Sequence, residues 1–145
     1  MIIEDIYTMK EGFTIVDTIS IASDFSSVRK VESLIDKVCT EIGVHEDAYG
    51  NVLIAVTEAV NNAIQHGNAF KNELEVFVSV SDKPDEFCFS IKDYGNGFDF
   101  EHLPDPTAPE NIEKENGRGI FLMRNLADEV EFEDFGRKVN IYFTK

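Results

Sequence analysis

The feature that most constrains the fold of this 145-residue chain is the stretch Asn51–Asn68, NVLIAVTEAVNNAIQHGN. It is rich in Ala, Val, Ile and Leu and contains no Pro and no Gly before Gly67, so it predicts a helix. Most of the helix circumference is apolar, which is typical of a helix packed inside a domain. The rest of the chain is therefore expected to pack around this element.

One polar stripe runs along this otherwise apolar helix. Glu58, Asn62 and Gln65 are spaced i, i+4 and i+7, and His66, four residues after Asn62, extends the stripe. A carboxylate and an amide on a mostly buried helix need a hydrogen-bond partner, water or a ligand. A solvated edge explains the stripe equally well, because buried polar groups usually find protein partners, so the helix alone leaves both interpretations open.

Length and hydropathy favour one domain. The chain is long enough for one domain with its own core but not comfortably for two, so a single domain over residues 1–145 is expected. No apolar run reaches the roughly 18 residues of a membrane helix. The N-terminus is acidic and its apolar part is too short for a signal peptide. We therefore expect a cytoplasmic protein without a membrane partner.

Charge and cysteine content exclude other functions. The formal net charge of −15 argues against a general nucleic-acid or anionic-membrane surface, because such surfaces need Lys and Arg. It does not exclude a phosphate ligand held by backbone amides and a metal. Cys39 and Cys88 make no metal-ligand spacing and no CxxC motif, so two reduced structural thiols are expected.

Residue periodicity predicts the other elements in the order strand, two helices, two strands, loop, helix, two strands. The predicted strands are Gly12–Ala22, Leu74–Val80, Glu86–Lys92, one beginning at Val130 and one from Val139. Predicted helices are Phe25–Ile42, the Glu58 helix beginning after Val44, and one from about Arg118 to Ala127. Because this order is not a regular βαβ alternation, we expect an α+β fold, a two-layer sandwich with a mixed, mostly antiparallel sheet and helices on one face.

A second polar motif, Asp93-Tyr94-Gly95-Asn96-Gly97, follows directly on a predicted strand. Its carboxylate can accept a hydrogen bond from an exocyclic amine such as that of adenine. The two glycines remove Cβ atoms where a flat ligand would approach the backbone. By itself such a motif is more often a simple turn.

A third motif, Gly117-Arg118-Gly119-Ile120, lies at a predicted helix start. Free N–H groups and the positive helix end make a ready phosphate site, although a simple capping turn explains the motif as well. Before it, Asp99–Asn116 is acidic and contains three prolines. A loop of this length inside a compact domain is usually functional or disordered.

Together, the three motifs favour a nucleotide site. Asn62 can offer its side-chain oxygen to Mg²⁺, which otherwise keeps waters and phosphate oxygens as ligands. Glu58, one turn earlier, can contact a water or hydroxyl facing a terminal phosphate and act as a general base or orienting group. The long loop can close over the phosphates and exclude water.

Three segments, TEAVNNAIQHGN, KDYGNGF and GRGIFLMRNLADEV, resemble the N, G1 and G2 boxes of a known superfamily. It contains gyrases, Hsp-type chaperones, histidine kinases and MutL and is called the histidine-kinase-like ATPase (GHKL) superfamily. The chain is most similar to its small branch of anti-sigma-factor serine/threonine-protein kinases of the RsbW and SpoIIAB type. The resemblance covers almost the whole chain, and three boxes in the correct order and spacing are a specific signal.

This resemblance implies a Bergerat ATP-binding fold, with ATP and Mg²⁺ as ligands. Glu58 would be the catalytic base, Asn62 the Mg²⁺ ligand and Asp93 the adenine contact, while Asp99–Asn116 would form the ATP lid. His66 would lie near the phosphates or ribose, although a hydrogen-bonded histidine at a helix end is an equal alternative. The complete implied nucleotide-binding set is Asn62, His66, Asp93, Gly95, Gly97, Gly117, Arg118, Gly119 and Ile120.

One position departs from the superfamily pattern. The superfamily often has a Thr near the adenine, after a Gly in the last strands, whereas here Gly136 is followed by Arg137 and Lys138. The contact made by that Thr is therefore either missing or supplied by another residue.

The resemblance also implies partners. Histidine kinases need a phosphoacceptor histidine on a separate hairpin and commonly carry an amide where this chain has Glu58, and the gyrase, chaperone and MutL relatives need a following transducer domain. We therefore expect a Mg·ATP-dependent kinase that phosphorylates a STAS-domain anti-anti-sigma factor and sequesters a sigma factor or other regulator. A homodimer without direct nucleic-acid contact is implied as well. A non-catalytic ATP- or ADP-binding module that sequesters its partner is the alternative, and a plain ATPase is a third class.

Overall fold

The computed structural model describes residues 10–96 and 115–145, and for residues 115–117 the backbone alone. Its strands are β1 (Thr14–Ile21), β2 (Val76–Lys83), β3 (Glu86–Lys92), β4 (Glu129–Glu133) and β5 (Lys138–Thr144). Its α-helices are α1 (Val28–Glu41), α2 (Glu46–Asn62) and α3 (Glu115–Leu126). The element order agrees with the order predicted from residue periodicity.

The five strands form one sheet in the order β1-β2-β3-β5-β4, and every pairing among them is antiparallel. Val80, Phe89 and Ile141 lie side by side across β2, β3 and β5. They share one hydrophobic core with Val56 of α2 and Met123 of α3. The predicted α+β sandwich, a mostly antiparallel sheet with helices on one face, is confirmed.

The helix that carries the polar stripe ends in an unusual way. After Asn62 the chain continues as a π-helical turn, Ala63–Gly67, in which the N–H of Asn68 donates to the carbonyl of Ala63 at 2.8 Å. Wider turns of this kind are rare and occur often at functional sites. The helix therefore widens from an α-helix to a π-helix over the turn that contains His66 and Gly67.

Several predicted boundaries differ from the structure. Strand β1 is Thr14–Ile21 rather than Gly12–Ala22, and β2 is Val76–Lys83 rather than Leu74–Val80. Helix α3 begins at Glu115, three residues before its predicted start, so the last two residues of the predicted lid are helical. Helix α1 begins at Val28, because Phe25–Ser27 forms a separate 3₁₀ turn capped by the Asp24 carboxylate, which accepts the Ser26 N–H at 2.9 Å. Residues 99–114 of the predicted lid and Gly97 lie outside the described residues.

The two cysteines are structural in the described chain. Cys39 lies in α1 and Cys88 in β3, and both are buried and free. Burial raises the pKa of Cys39 to about 11 and that of Cys88 to about 12, so both thiols are protonated near neutral pH. Within residues 10–96 and 115–145, none of the helices has the length and apolar character needed to span a bilayer.

Candidate functional site

Glu58 and Asn62 meet helix α3 at Gly119. They lie one turn apart on α2, and both are partly buried. A Cβ atom placed on Gly119 would lie 3.0 Å from Asn62 Nδ2 and 3.1 Å from Glu58 Oε2. Two motifs that are remote in sequence, the polar stripe and the Gly-x-Gly of α3, are therefore in contact in the fold.

On one side of this contact lies an open depression, which we call the acid–amide cleft. Its lining residues come from α2, from α3 and from the turn before α1: Phe25, Glu58, Asn61, Asn62, Gln65, Arg118, Gly119 and Leu122. The cleft combines a carboxylate, three amides and one cation with two apolar side chains at its rim. Such a surface can hold a polar group while an apolar neighbour packs beside it.

On the other side lies a second depression, which we call the apolar pocket. It lies between the helices and the ends of β3, β4 and β5, and its lining residues are Ala59, Asn62, Ala63, His66, Gly67, Ile91, Asp93, Ile120, Met123, Phe132, Gly136, Arg137 and Val139. Most of these are apolar, with one carboxylate at Asp93. Asn62 lines both the pocket and the cleft, so the two depressions are neighbours that share this residue.

Asp93 is held against the end of α2 by two glycines. The Asp93 side chain is 7% exposed, and Gly95 donates its N–H to Asp93 Oδ1 at 2.9 Å. A Cβ on Gly67 would lie only 2.4 Å from the carboxylate carbon of Asp93. A Cβ on Gly95 would lie 1.8 Å from the carbonyl oxygen of Gly67. A side chain at position 95 would thus collide with the backbone of Gly67, and one at position 67 would collide with the buried carboxylate of Asp93.

The environment of Asp93 is typical of a binding group. Burial raises the pKa of the Asp93 carboxyl above its ordinary value. The hydrogen bond from Gly95 and the nearby Arg137 guanidinium oppose that rise in pKa, and the charge of Asp134 adds to it. A buried carboxyl with a perturbed pKa in a pocket is a candidate for a functional role.

Asn68 also holds the turn that follows Asp93. Its side chain is fully buried and accepts the N–H of Tyr94 at 2.8 Å. Its Nδ2 donates to the carbonyls of Leu74 and Glu75 at 3.1 and 3.2 Å and to Ser23 Oγ at 2.9 Å. A single buried amide therefore ties the end of α2 to the segment that carries Asp93.

The Asn62 side chain has the properties expected of a ligand-binding amide. Its Nδ2 is buried and has no hydrogen-bond partner in the described part of the chain. A buried polar atom of this kind is costly unless something binds it, and rotation of the amide can present either its nitrogen or its oxygen. Among residues 10–96 and 115–145, no three His, Cys, Asp or Glu side chains gather as a metal site. The side-chain oxygen of Asn62 is a hard donor of the kind that Mg²⁺ accepts beside phosphate and water, so this residue fits the expected ion.

The predicted site residues are placed as follows. Glu58, Asn62, Arg118 and Gly119 line the cleft, and Asn62, His66, Asp93 and Ile120 line the pocket, His66 being solvent-exposed. Gly95 lies behind Asp93, and Gly97 is outside the described residues. Their chemical roles remain predictions.

Because α3 begins earlier than predicted, the amides expected to bind phosphate lie further into the helix than predicted. Gly117 and Arg118 lie among the first four residues of the helix, whose N–H groups lack an acceptor within the helix. Gly119 is the next residue of the helix. Its lack of a Cβ leaves room for the side chains of Glu58 and Asn62. Its expected amide contact with phosphate remains a prediction.

Sequence reasoning missed several residues of the site. Gly67 closes the NAIQHG segment and could have been found as a glycine that ends a functional helix. Arg137 was visible only as a departure from the superfamily pattern. Asn68 and the apolar wall residues Phe132 and Val139 carry no local signal, because their positions depend on how distant segments pack.

Comparison with known proteins gives a consistent result. The family model described as Histidine kinase-like ATPase domain matches residues 21–143. The chain is similar to the Serine-protein kinase RsbW of Staphylococcus aureus, with 34% identity over 100 residues, 64% of this chain and 63% of the relative.

Two further relatives carry the same printed name. The Bacillus velezensis protein is 31% identical over 102 residues, 66% of this chain and 64% of the relative. The Oceanobacillus iheyensis protein is 29% identical over 103 residues, 67% of this chain and 65% of the relative. The chain thus spans less than two thirds of the length of these curated relatives.

Proposed function

Because the chain belongs to the histidine kinase-like ATPase domain family, we propose that it binds Mg·ATP and transfers the γ-phosphate to a serine or threonine hydroxyl of a protein. The observation that carries this proposal is that Asn62 lines both the apolar pocket and the acid–amide cleft, with Glu58 one turn away in the cleft. A nucleotide bound across both would put its base in the first and its terminal phosphate in the second.

The apolar pocket is proposed to take adenine. Asp93 accepts a hydrogen bond from the 6-amino group through the carboxylate oxygen that Gly95 does not occupy. Ile91, Met123 and Phe132 supply apolar surface for the faces of the ring. An apolar site with one convergent polar group is the usual design of a small-molecule pocket.

The phosphates are proposed to run past Asn62 toward the start of α3. The N–H groups of Gly117 and Arg118 and the positive end of the helix dipole face anions there, and the Arg118 side chain lines the same cleft. Asn62 holds Mg²⁺, which neutralises phosphate charge when it is bound. This local arrangement explains how a chain of net charge −15 can bind a polyanion.

Glu58 is proposed to receive the proton of the acceptor hydroxyl or to orient that hydroxyl. Its carboxylate lines the cleft one turn from Asn62, on the side open to solvent. A protein acceptor can reach this side, whereas the pocket is enclosed between helices and sheet. A positioned general base of this kind contributes roughly 10²–10⁴-fold to rate.

The partners are proposed from the similarity to proteins named Serine-protein kinase RsbW. The acceptor is then a STAS-domain anti-anti-sigma factor, and a sigma factor or other regulator is the sequestered partner in a partner-switching circuit. We further propose a cytoplasmic homodimer, one domain over residues 1–145, and a lid at residues 99–116 that closes over the phosphates.

The test incubates the full chain with Mg²⁺, γ-labelled ATP and the STAS-domain proteins of its own organism, beside the Glu58→Gln variant. Label on a serine or threonine of one acceptor, absent with the variant although the variant still binds ATP, supports the kinase. Nucleotide binding without label transfer indicates the sequestering module instead. Phosphate release without a labelled protein indicates a plain ATPase.

A further inference from the structure

The turn between β4 and β5 is held in an unfavourable backbone conformation beside the apolar pocket. Asp134, Phe135 and Gly136 have φ angles of 52°, 56° and 84° in succession. For the two residues that carry side chains, such angles are unfavourable and persist only where surrounding contacts enforce them. The turn places Gly136 and Arg137 in the wall of the apolar pocket.

Arg137 connects this turn to the segment that carries Asp93. Its Nε donates to the carbonyl of Gly95 at 2.8 Å, and one terminal nitrogen reaches the carbonyl of Asn96 at 3.5 Å. The other terminal nitrogen lies 3.2 Å from both the carbonyl and the carboxylate of Asp134. The Arg137 carbonyl in turn accepts the Asp93 N–H at 2.8 Å.

We propose that Arg137 is a positioning residue for base recognition, which holds the turn at Gly95 and Asn96 so that the Asp93 carboxylate faces the 6-amino group of adenine. This inference rests on the ATP binding of the proposed function and not on phosphotransfer. The superfamily often has a threonine at the position of Arg137. Arg137 itself contacts the backbone of the turn at Gly95 and Asn96.

The chemistry of the guanidinium suits this role. Its five N–H donors lie in one plane and in a fixed fork, so one side chain can hold two carbonyls on one side and Asp134 on the other. A lysine at this position has a single point charge and cannot fix both carbonyls in one geometry. The same cation lies near Asp93 and favours its ionised, accepting form.

The experiment measures affinities for ATP and for purine riboside triphosphate, which lacks the 6-amino group but keeps the ribose and the phosphates. The full chain with Mg²⁺ is titrated calorimetrically as the native protein, Arg137→Met, Arg137→Lys and Lys145→Met. Lys145 is the matched control, because it pairs with Asp82 at 2.9 Å at the opposite end of β5 and its loss removes the same charge. Thermal unfolding of every variant accompanies the titrations.

The native protein and Lys145→Met are expected to prefer ATP by roughly 10-fold to 100-fold, the usual value of a hydrogen bond to a charged group. Arg137→Met is expected to lose most of this preference while its affinity for the analogue stays within about threefold of native, because the phosphate contacts are untouched. Arg137→Lys is expected to resemble Arg137→Met, and it serves as the test if the methionine variant fails to fold.

Retention of the native ATP preference in both Arg137 variants would overturn the inference. An equal fall in affinity for both nucleotides would also overturn it, since that result describes general support of the pocket rather than base recognition. If the native protein binds both nucleotides equally, Asp93 makes no contact with the 6-amino group, and the proposed role of Arg137 is overturned. A native protein that binds neither nucleotide contradicts the proposed function itself.

Discussion

The apolar pocket and the acid–amide cleft share Asn62 but are built in different ways. The pocket lies between packed helices and the central strands. Its one carboxylate accepts the N–H of Gly95, and the turn after it is held by Asn68 and Arg137. The cleft lies at the open edge of the helices, with the half-exposed Phe25 at its rim. Under the proposed function, recognition of a base would take place within the folded core, whereas phosphotransfer would occur at a surface that a second protein can reach.

This difference has an energetic consequence. A change at the close backbone contacts around the pocket disturbs the fold itself, so binding and stability are expected to fall together there. A change in the cleft alters side chains that face solvent, so transfer is expected to fall while stability is kept. The following variants test this division, from the largest expected effect to the smallest.

Gly95→Ala is expected to abolish ATP binding and to destabilise the fold by about 1–3 kcal/mol, a typical range for overpacking. The reason is that its Cβ would lie 1.8 Å from the Gly67 carbonyl oxygen, and backbone atoms cannot rotate away. Calorimetric titration and thermal unfolding measure the two effects.

The control for that variant is Gly50→Ala. Gly50 lies in α2 with nothing within 4 Å of an added Cβ. Alanine there is expected to stabilise the helix by about 0.5–1 kcal/mol and to leave ATP affinity unchanged. Native ATP affinity in Gly95→Ala would show that the contact with Gly67 does not shape the pocket.

Asp93→Asn is expected to weaken ATP binding by roughly 10-fold to 100-fold while leaving the melting temperature unchanged or higher. The affinity falls because the charged acceptor is lost, and stability is kept because a buried charge that is costly to desolvate is removed. A marked fall in melting temperature would show that Asp93 is a structural rather than a binding group.

The pH dependence of stability follows from the same burial. Because the pKa of Asp93 is higher in the folded protein than its ordinary 3.8, the folded state takes up a proton at a higher pH than the unfolded chain. The contribution of Asp93 to stability therefore becomes more favourable as pH falls through its folded-state pKa toward 3.8, whereas ATP affinity falls in that range. Both trends should be absent from Asp93→Asn, and persistence of either in the variant would assign it to another group.

Gly119→Ala is expected to reduce phosphotransfer about tenfold, in proportion to the misplacement of reacting groups, with less effect on ATP affinity. Its Cβ would lie 3.0–3.4 Å from side-chain atoms of Asn62 and Glu58, which can move aside, so the fold is expected to remain as stable as native. Single-turnover transfer and calorimetric titration separate the two effects. Equal losses in both measurements would mean that Gly119 shapes the pocket and the cleft alike.

Sequence patterns predicted the elements that bury a regular face. Strand β3 was predicted with its observed bounds, Glu86–Lys92, because its apolar residues alternate and one turn precedes it. The helix with Glu58 and Asn62 was predicted because the stretch is rich in Ala, Val, Ile and Leu and has no Pro, and helical spacing then places both residues on one stripe. Both features depend on local periodicity, which a single sequence contains.

The remaining features depend on tertiary contacts. The π-helical turn at Ala63–Gly67 and the burial of Asn68 require the segment that follows β3 to lie against the end of α2. The close approach of Gly67 to Asp93 depends on how the π-helical turn packs against the end of β3, and the reach of Arg137 to Gly95 depends on the antiparallel pairing of β3 with β5. A periodicity argument does not contain these distances, so Gly67 and Arg137 were missing from the predicted site.

The most direct test of the division between pocket and cleft is single-turnover phosphotransfer by Glu58→Gln at saturating Mg·ATP, with ATP affinity measured on the same preparation. Glu32→Gln, an exposed change of the same charge on α1, is the matched control. Transfer is expected to fall by about 10²–10⁴-fold with ATP affinity within about threefold of native. Transfer at the native rate would contradict the role of Glu58, and a parallel loss of ATP binding would contradict the separation of pocket and cleft.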